Sequence, residues 1–277
     1  MYEKVNPSHP DKIADRIAGS IVDLAYSQDD RPKIAVEVLI GHNNCYIIIE
    51  TSVFIDSDKI KDNVRRISKI DDINIDIIQV HQDPFLSENQ DIKPKCGDNG
   101  IFKGVPVSKE QKDLTNIVDR IYNEIPYDGK YIIDSKENTI ISCQSNASKG
   151  YIKDLILSNS FDYYTWNLKI NPLGYWTGGI NVDSGATNRK LGSDMGDSIT
   201  GGGLHGKDLS KADITLNIIA FLRAQKEEKP IEMECYIGQE EIEGKTYSEY
   251  MEEAREYINK IGGFEKFAEW GLIRPKN

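Results

Sequence analysis

The chain has 277 residues, with 34 Lys and Arg against 45 Asp and Glu, a formal net charge of −11. That balance argues against a general nucleic-acid binder, which needs basic surface to neutralise phosphates, but leaves room for a few cations gathered around a phosphorylated small molecule. With 39% hydrophobic and 29% charged residues the composition is that of a folded globular protein. No apolar run approaches the roughly 20 residues of a membrane helix. Met1-Tyr2-Glu3-Lys4 opens no signal-peptide core, so a cytoplasmic protein is expected.

Ser8-His9-Pro10-Asp11 predicts a helix start: a capping residue, proline in the first turn, and an acid at the positive end of the dipole. Ile13, Ile17, Ile21 and Leu24 carry that helix to about residue 27. Apolar, β-branched runs over 34–40 and 45–53 flank Gly41-His42-Asn43-Asn44 and predict a hairpin. A charged amphipathic helix over 58–70 and a strand over 73–80 follow. Residues 82–96 are polar, carry two prolines, and read as a long mobile loop of the functional kind. Next come a helix over 109–125, strands over 131–133 and 139–143, a helix over 150–158 and a strand over 167–170. The stretch 174–206 holds nearly half of the 22 glycines, as backbone that must approach a ligand closely requires. A helix over 208–226, a strand over 231–237 and a helix over 247–261 closed by Gly262-Gly263 complete the chain. Strands and helices mix without strict alternation, which predicts an α+β fold. Three strand-and-helix units are expected, over 1–95, 96–178 and 179–277.

Cys45, Cys96, Cys143 and Cys235 form no CxxC, and His9, His42, His81 and His205 form no HxxxH. Neither a zinc site nor a disulfide framework is expected, and the thiols read as buried or idle. The many carboxylates suit a hard cation such as Mg²⁺. If residues 40 and 45 close the hairpin turn, residue 37 faces 48 and residue 50 faces 35. Glu37 and Glu50 then share one side of the sheet, either as a solvent face or as a pair for a cation or an ammonium group. Asp183-Ser-Gly-Ala-Thr-Asn-Arg189-Lys190 and Gly201-Gly-Gly-Leu-His-Gly-Lys207-Asp208, with Lys211 and Asp213 beyond, supply the cations and backbone amides of a polyanion site. Ordinary turns flanked by solvated lysines are the alternative. Residues 201–207 also fit GxxxxGK, but Asp208 stands where a P-loop needs Ser or Thr, and that reading is rejected.

Five segments in order, Ser8-His-Pro-Asp-Lys-Ile-Ala-Asp15, Gly97-Asp-Asn-Gly100, Ile170-Asn-Pro-Leu-Gly174, Asp183–Lys190 and Gly201–Asp208, resemble methionine adenosyltransferase (S-adenosylmethionine synthetase). The resemblance covers most of the chain and fades after about Ile242. It implies three α+β units related by pseudo-threefold symmetry and a homodimer, or a tetramer built from it, with shared active sites. It implies attack of L-methionine sulfur on C5′ of ATP with departure of triphosphate, then hydrolysis to pyrophosphate and phosphate, assisted by two Mg²⁺ per site and K⁺. By position, His9 resembles the residue that stabilises the departing oxygen; Lys130, Arg189, Lys190 and Lys207 the polyphosphate-binding cations; and Asp11 and Asp213 the Mg²⁺ ligands, with Glu37 the K⁺ ligand. Asp98, Asp128, Asp183 and Trp176 resemble nucleotide-side residues, Trp176 as the adenine stack, and Glu50, Gln82, Asp183 and Lys211 the methionine-side residues. Residues 82–96 resemble the gating loop. The chain is shorter than typical members and departs from the pattern at Ser8, Asn99 and Asn188, and in a glycine loop one residue short. A polyphosphate-hydrolysing homologue and a non-catalytic Mg-nucleotide-binding protein are the rival readings. No nucleic-acid or membrane partner is expected.

Overall fold

The computed structural model describes residues 1–91, 93–158, 161–200 and 202–276. In chain order the elements are β1 (Tyr2–Val5), α1 (Pro10–Tyr26), β2 (Ile34–Gly41), β3 (Asn44–Thr51), α2 (Ser57–Ser68), β4 (Asn74–His81) and α3 (Pro84–Asp91). Then follow β5 (Gly100–Gly104), α4 (Lys109–Glu124), β6 (Gly129–Asp134), β7 (Thr139–Gln144), α5 (Lys149–Leu157), β8 (Asn167–Ile170) and β9 (Ser184–Ala186). The last are α6 (Leu191–Met195), α7 (Ala212–Glu227), β10 (Ile231–Cys235), the short β11 (Glu241–Ile242) and β12 (Lys245–Thr246), α8 (Tyr247–Ile261) and α9 (Phe264–Trp270).

The strands build sheets in the orders β4-β3-β2-β9 and β1-β6-β7-β8, a two-stranded pair β10-β5, and the small pair β11-β12. Each main sheet draws strands from distant parts of the sequence. Tyr2–Val5 pairs with 130–133, β9 with β2, and β5 with β10. Ile13, Ile17 and Ile21 of α1, all buried, meet Val36, Val38, Ile47 and Ile49 of the first sheet in a core that extends to α7 and α8. A second core lies between α4, α5 and the β1-β6-β7-β8 sheet, around Ile117, Ile121, Tyr131 and Ile140. Each fully buried isoleucine of this kind contributes about 2 kcal/mol. Among the described residues no helix is long and apolar enough to cross a membrane.

The hairpin register is the expected one: Glu37 faces Ile48, Ala35 faces Glu50, and Ile40 faces Cys45. Its turn is tighter than the four-residue loop expected, because Gly41 pairs with Asn44 and only His42 and Asn43 turn, both at positive φ. Two positive-φ central residues give the reverse turn whose twist matches the strands. Residues 82–96 are not wholly loop: α3 occupies 84–91, with Pro84 in its first turn and the Asp83 carboxylate accepting the Phe85 amide at 2.9 Å. The cap of α1 is His9 rather than Ser8. The helix after the glycine-rich stretch starts at Ala212, not at 208, with Lys211 as its flanking residue. The strand expected over 231–237 ends at Cys235.

Gly185 sets how closely β9 approaches α1. A Cβ there would lie 2.1 Å from the Pro10 carbonyl carbon and 2.4 Å from the Asp11 nitrogen. Gly185→Ala is therefore expected to destabilise the fold by about 1–3 kcal/mol as an overpacking substitution. Denaturant unfolding tests this: an unchanged midpoint would mean that β9 is free to move away from the helix.

Candidate active site

The start of α1 is where the helix, β9 and the following loop meet. His9 caps the helix, its Nδ1 accepting the Asp11 amide at 3.2 Å. A ring nitrogen that accepts carries no proton, so the neutral ring carries its proton on Nε2. Burial first, and then the Lys190 ammonium, push the His9 pKa down to about 4. His9 is thus an uncharged donor at neutral pH.

Asp11, in the first turn of the helix, is buried, accepts two hydrogen bonds and forms a further ion pair. The Ala186 amide lies at 2.9 Å, the Lys190 ammonium at 2.5 Å and the Arg189 guanidinium at 3.5 Å. Burial alone would raise its pKa, but the hydrogen bonds from Lys190 and Ala186 outweigh it and hold the carboxyl below its ordinary value. Asp128 lies nearby, buried and accepting the Gly179 amide at 3.0 Å. Its pKa rises to about 6, through burial first and then the negative charges of Asp183 and Asp11. A cavity of about 230 Å³ lined by Ser8, Ile13, Asp128, Asn146, Gly178 and Ile180 opens beside it. Lys130 is exposed and pairs with Glu3 at 3.1 Å, yet its charge still reaches His9.

A second group stands apart. Lys207 is bridged to Ala35 of β2 and its ammonium contacts the Asp213 carboxylate. Gly202, at φ +67°, lies so close to Asp213 that a Cβ would strike its carboxylate. Gly201, which opens the expected glycine run, lies outside the described residues. Among the described residues no ion pair joins Lys207 or Asp213 to Asp11, Arg189 or Lys190.

The remaining expected residues are dispersed. Glu37 and Glu50 lie on the exposed face of the first sheet, and Glu37 accepts the Thr187 hydroxyl, two residues before Arg189. Gln82 is buried, and among the described residues its Oε1 has no hydrogen-bond partner. Asp98 and Asp183 are exposed, each capping the next residue's amide at 2.7 Å. The half-buried Trp176 donates from Nε1 to Asn171 at 3.3 Å, and Lys211 is half-buried beside α7.

Beneath the first group lies a buried charge cluster absent from the sequence reading. The Lys12 ammonium sits 2.8 Å from Asp194, 3.2 Å from Asp15 and 3.4 Å from His205 Nε2, all buried. His205 Nε2 is 2.8 Å from Asp194. Asp15, Asp194 and His205 have the spacing of metal ligands, but the ammonium already stands among them as the counter-cation. Removing one partner of such a buried set costs about 3–5 kcal/mol. The cluster ties α1 to α6 directly behind Asp11 and Lys190. Asn188 links it to the glycine loop: its amide donates to Asp15 at 2.8 Å, and its Oδ1 accepts the Leu204 and His205 amides at 2.9 Å each. Asn188 has φ +63°, a conformation that Asn tolerates better than most residues, so it can stand where the family pattern has glycine. Lys12, Asp15 and His205 lay inside the quoted motifs and could have been marked; Asp194 carried no signal.

The fold is that of S-adenosylmethionine synthetases. An unusual S-adenosylmethionine synthetase from Campylobacter jejuni superimposes with a TM-score of 0.78 at 20% identity, over 98% of this chain and 93% of that one. The family model for the S-adenosylmethionine synthetase N-terminal domain matches residues 1–86. The S-adenosylmethionine synthase of Mycoplasmopsis synoviae is 30% identical over 259 residues, 76% of this chain and 67% of that protein. The Helicobacter pylori enzyme of the same name is 27% identical over 264 residues, 76% and 68% of the two chains. The chain belongs to the S-adenosylmethionine synthetase family.

The His9 assignment can be measured. Heteronuclear NMR of the histidine rings against pH is expected to give His9 as the Nε2-protonated tautomer with a midpoint near 4. Between pH 6.5 and about 4 the native state then binds fewer protons than the unfolded chain, so this group's stabilising contribution is full above pH 6.5 and is lost as pH falls. A midpoint at the ordinary value near 6.5 would contradict the assignment.

Proposed function

We propose that the chain makes S-adenosylmethionine from ATP and L-methionine. The sulfur–C5′ bond forms as the C5′–oxygen bond breaks, and the electron pair of the broken bond leaves with the triphosphate, which is then cleaved to pyrophosphate and phosphate. The observation that carries this reading is the gathering of Asp11, Lys190 and Arg189 around a neutral His9 in a chain of this family.

The thioether is a neutral nucleophile and needs no general base; the barrier lies in the charge that grows on the leaving oxygen. In this proposal His9 donates from Nε2 to that oxygen without bringing a net charge of its own. Lys130, Arg189, Lys190 and Lys207 neutralise the polyphosphate. Asp98, Asp128, Asp183 and Trp176 bind the nucleoside, with Trp176 stacking on adenine, while Glu50, Gln82, Asp183 and Lys211 bind methionine. The buried, unpartnered Gln82 Oε1 supports a ligand-binding role for that side chain.

Asp11 and Asp213 offer the hard oxygen donors that Mg²⁺ requires, and both now neutralise a lysine. Their exchange of ammonium for metal would free Lys190 and Lys207 for phosphate. Bound Mg²⁺ would supply positive charge to the triphosphate as it leaves. Glu37 is the proposed K⁺ ligand.

A homodimer completes the proposal. Leu39, Tyr46, Ile48, Ile78 and Val80 stand between 45% and 57% exposed on the sheet face that carries Glu37 and Glu50. Apolar area of this kind on an ordered sheet supports an interaction surface there, and Glu37 on the same face contacts Thr187, two residues before Arg189 of the first charge group. A second copy on this face would bring its own Lys207–Asp213 group to complete the site, so that each chain carries two halves of different sites. Three units with divisions near residues 95 and 178 but discontinuous in sequence, residues 82–96 as a gate over the site, and a cytoplasmic setting belong to the same proposal.

Incubation of the pure protein with ATP, Mg²⁺ and K⁺, with and without methionine, tests the reaction. Equal release of S-adenosylmethionine, pyrophosphate and phosphate is expected with methionine present. Phosphate without the sulfonium product would replace the proposal with polyphosphate hydrolysis, and no product at all would leave a binding protein.

A further inference from the structure

Cys96 and Cys235 are 139 positions apart in sequence, yet their sulfurs lie 2.7 Å apart. Both are buried, and both thiols sit within hydrogen-bonding range of the Asp98 carbonyl, at 3.1 and 3.3 Å. The backbone fixes the pair from two sides. The Cys96 amide donates to the Gln239 carbonyl and its own carbonyl accepts the Gly238 amide, each at 2.8 Å. Cys235 ends β10, opposite Gly100 of β5. Among the described residues the one histidine–carboxylate grouping with metal-ligand spacing lies elsewhere, at Asp15, Asp194 and His205. Among the described residues no His, Cys, Asp or Glu joins the two sulfurs in a group with metal-ligand spacing, and two thiols in contact have the chemistry of a disulfide rather than that of a metal site.

We propose that Cys96 and Cys235 are a reversible dithiol–disulfide pair whose oxidation, by a hydroperoxide or a low-molecular-weight disulfide, clamps the end of the 82–96 segment onto β10. With hydrogen peroxide, the Cys96 sulfur attacks one peroxide oxygen and the O–O bond breaks, giving a sulfenic acid and one water. The Cys235 sulfur then attacks the sulfenic sulfur. The S–S bond forms, the S–O bond breaks, and the hydroxide leaves with the Cys235 proton as a second water. Two thiols are oxidised and one peroxide is reduced. With a small disulfide, two exchange steps give the same bond and release two small thiols.

Cys96 is the attacking sulfur because its hydrogen bond with Cys235 holds its pKa below the ordinary thiol value, while the same contact raises that of Cys235. Asp98 and Asn99, two and three residues beyond Cys96, are exposed, and Cys235 is itself 7% exposed. Cys45 is an internal control: it is buried, and burial pushes its thiol up to about 12.

The pairing is independent of the proposed activity, and its test uses none. The full-length protein is treated at pH 7.5 with hydrogen peroxide, or separately with oxidised glutathione, then denatured, alkylated, and analysed by intact mass and by non-reducing digestion. The expected result is a loss of about 2 Da before alkylation, a cross-linked peptide joining Cys96 to Cys235, two alkylated cysteines instead of four, and full reversal by dithiothreitol. Cys235→Ser is expected to abolish the 2 Da loss. Four alkylated cysteines after oxidation, a different pairing, irreversible sulfinic acid at Cys96, or a 2 Da loss that persists in Cys235→Ser would each overturn the proposal. The wild-type peptide map decides even if the variant fails to fold.

Discussion

The pairing of carboxylates with amines is the constraint on which the rest of this structure depends. A site for a polyphosphate must hold several cations close together, and cations without counter-charges repel one another. Here three of the four proposed polyphosphate cations are matched by an acid that has its own proposed use. Lys190 and Arg189 lie on Asp11, and Lys207 lies on Asp213. In the proposed reaction the acids would trade ammonium for metal while the amines trade carboxylate for phosphate. Charge is then redistributed among groups already in place, which is the form of preorganisation that electrostatic catalysis requires.

That arrangement needs a rigid support, and the buried Lys12–Asp194–His205–Asp15 cluster provides it. It joins α1 to α6 behind Asp11 and Lys190, and Asn188 carries the connection to the glycine loop. Lys4 closes the same region by donating to the carbonyls of Ser193, Trp270 and Ile273 at 2.8–3.0 Å. Burial lowers its pKa to about 7. The chain's first strand and its C-terminal segment therefore meet beneath the site, and the fold encloses the support before any ligand is bound.

Much of this was legible in the sequence. The spacing of Ile13, Ile17 and Ile21 marked α1, and closing the hairpin at residues 40 and 45 gave its register and hence the shared side of Glu37 and Glu50. The motif residues marked Asp11, Lys190, Lys207 and Asp213, which the fold brings together in two pairs. What was not legible has physical reasons. The four residues of β1 and the three of β9 are too short to show a period, and their pairing partners lie far away in sequence. Nothing in the sequence marked Lys12 and Asp194 as a buried pair, because charged side chains are rarely buried unless paired and the pairing is visible only in three dimensions. The contact of Cys96 with Cys235 has the same origin, because no local spacing announces it.

In the proposed dimer one chain carries two half-sites, His9–Asp11–Lys190 and Lys207–Asp213, which would belong to different active sites. Subunit mixing tests it most directly. His9→Ala and Lys207→Ala homodimers should each have lost most of their activity. Unfolded and refolded together in equal amounts, they should recover about a quarter of wild-type activity, since half of the dimers are mixed and each mixed dimer has one intact site. A mixture no more active than its two components would show that each chain builds its site alone, and would contradict the account.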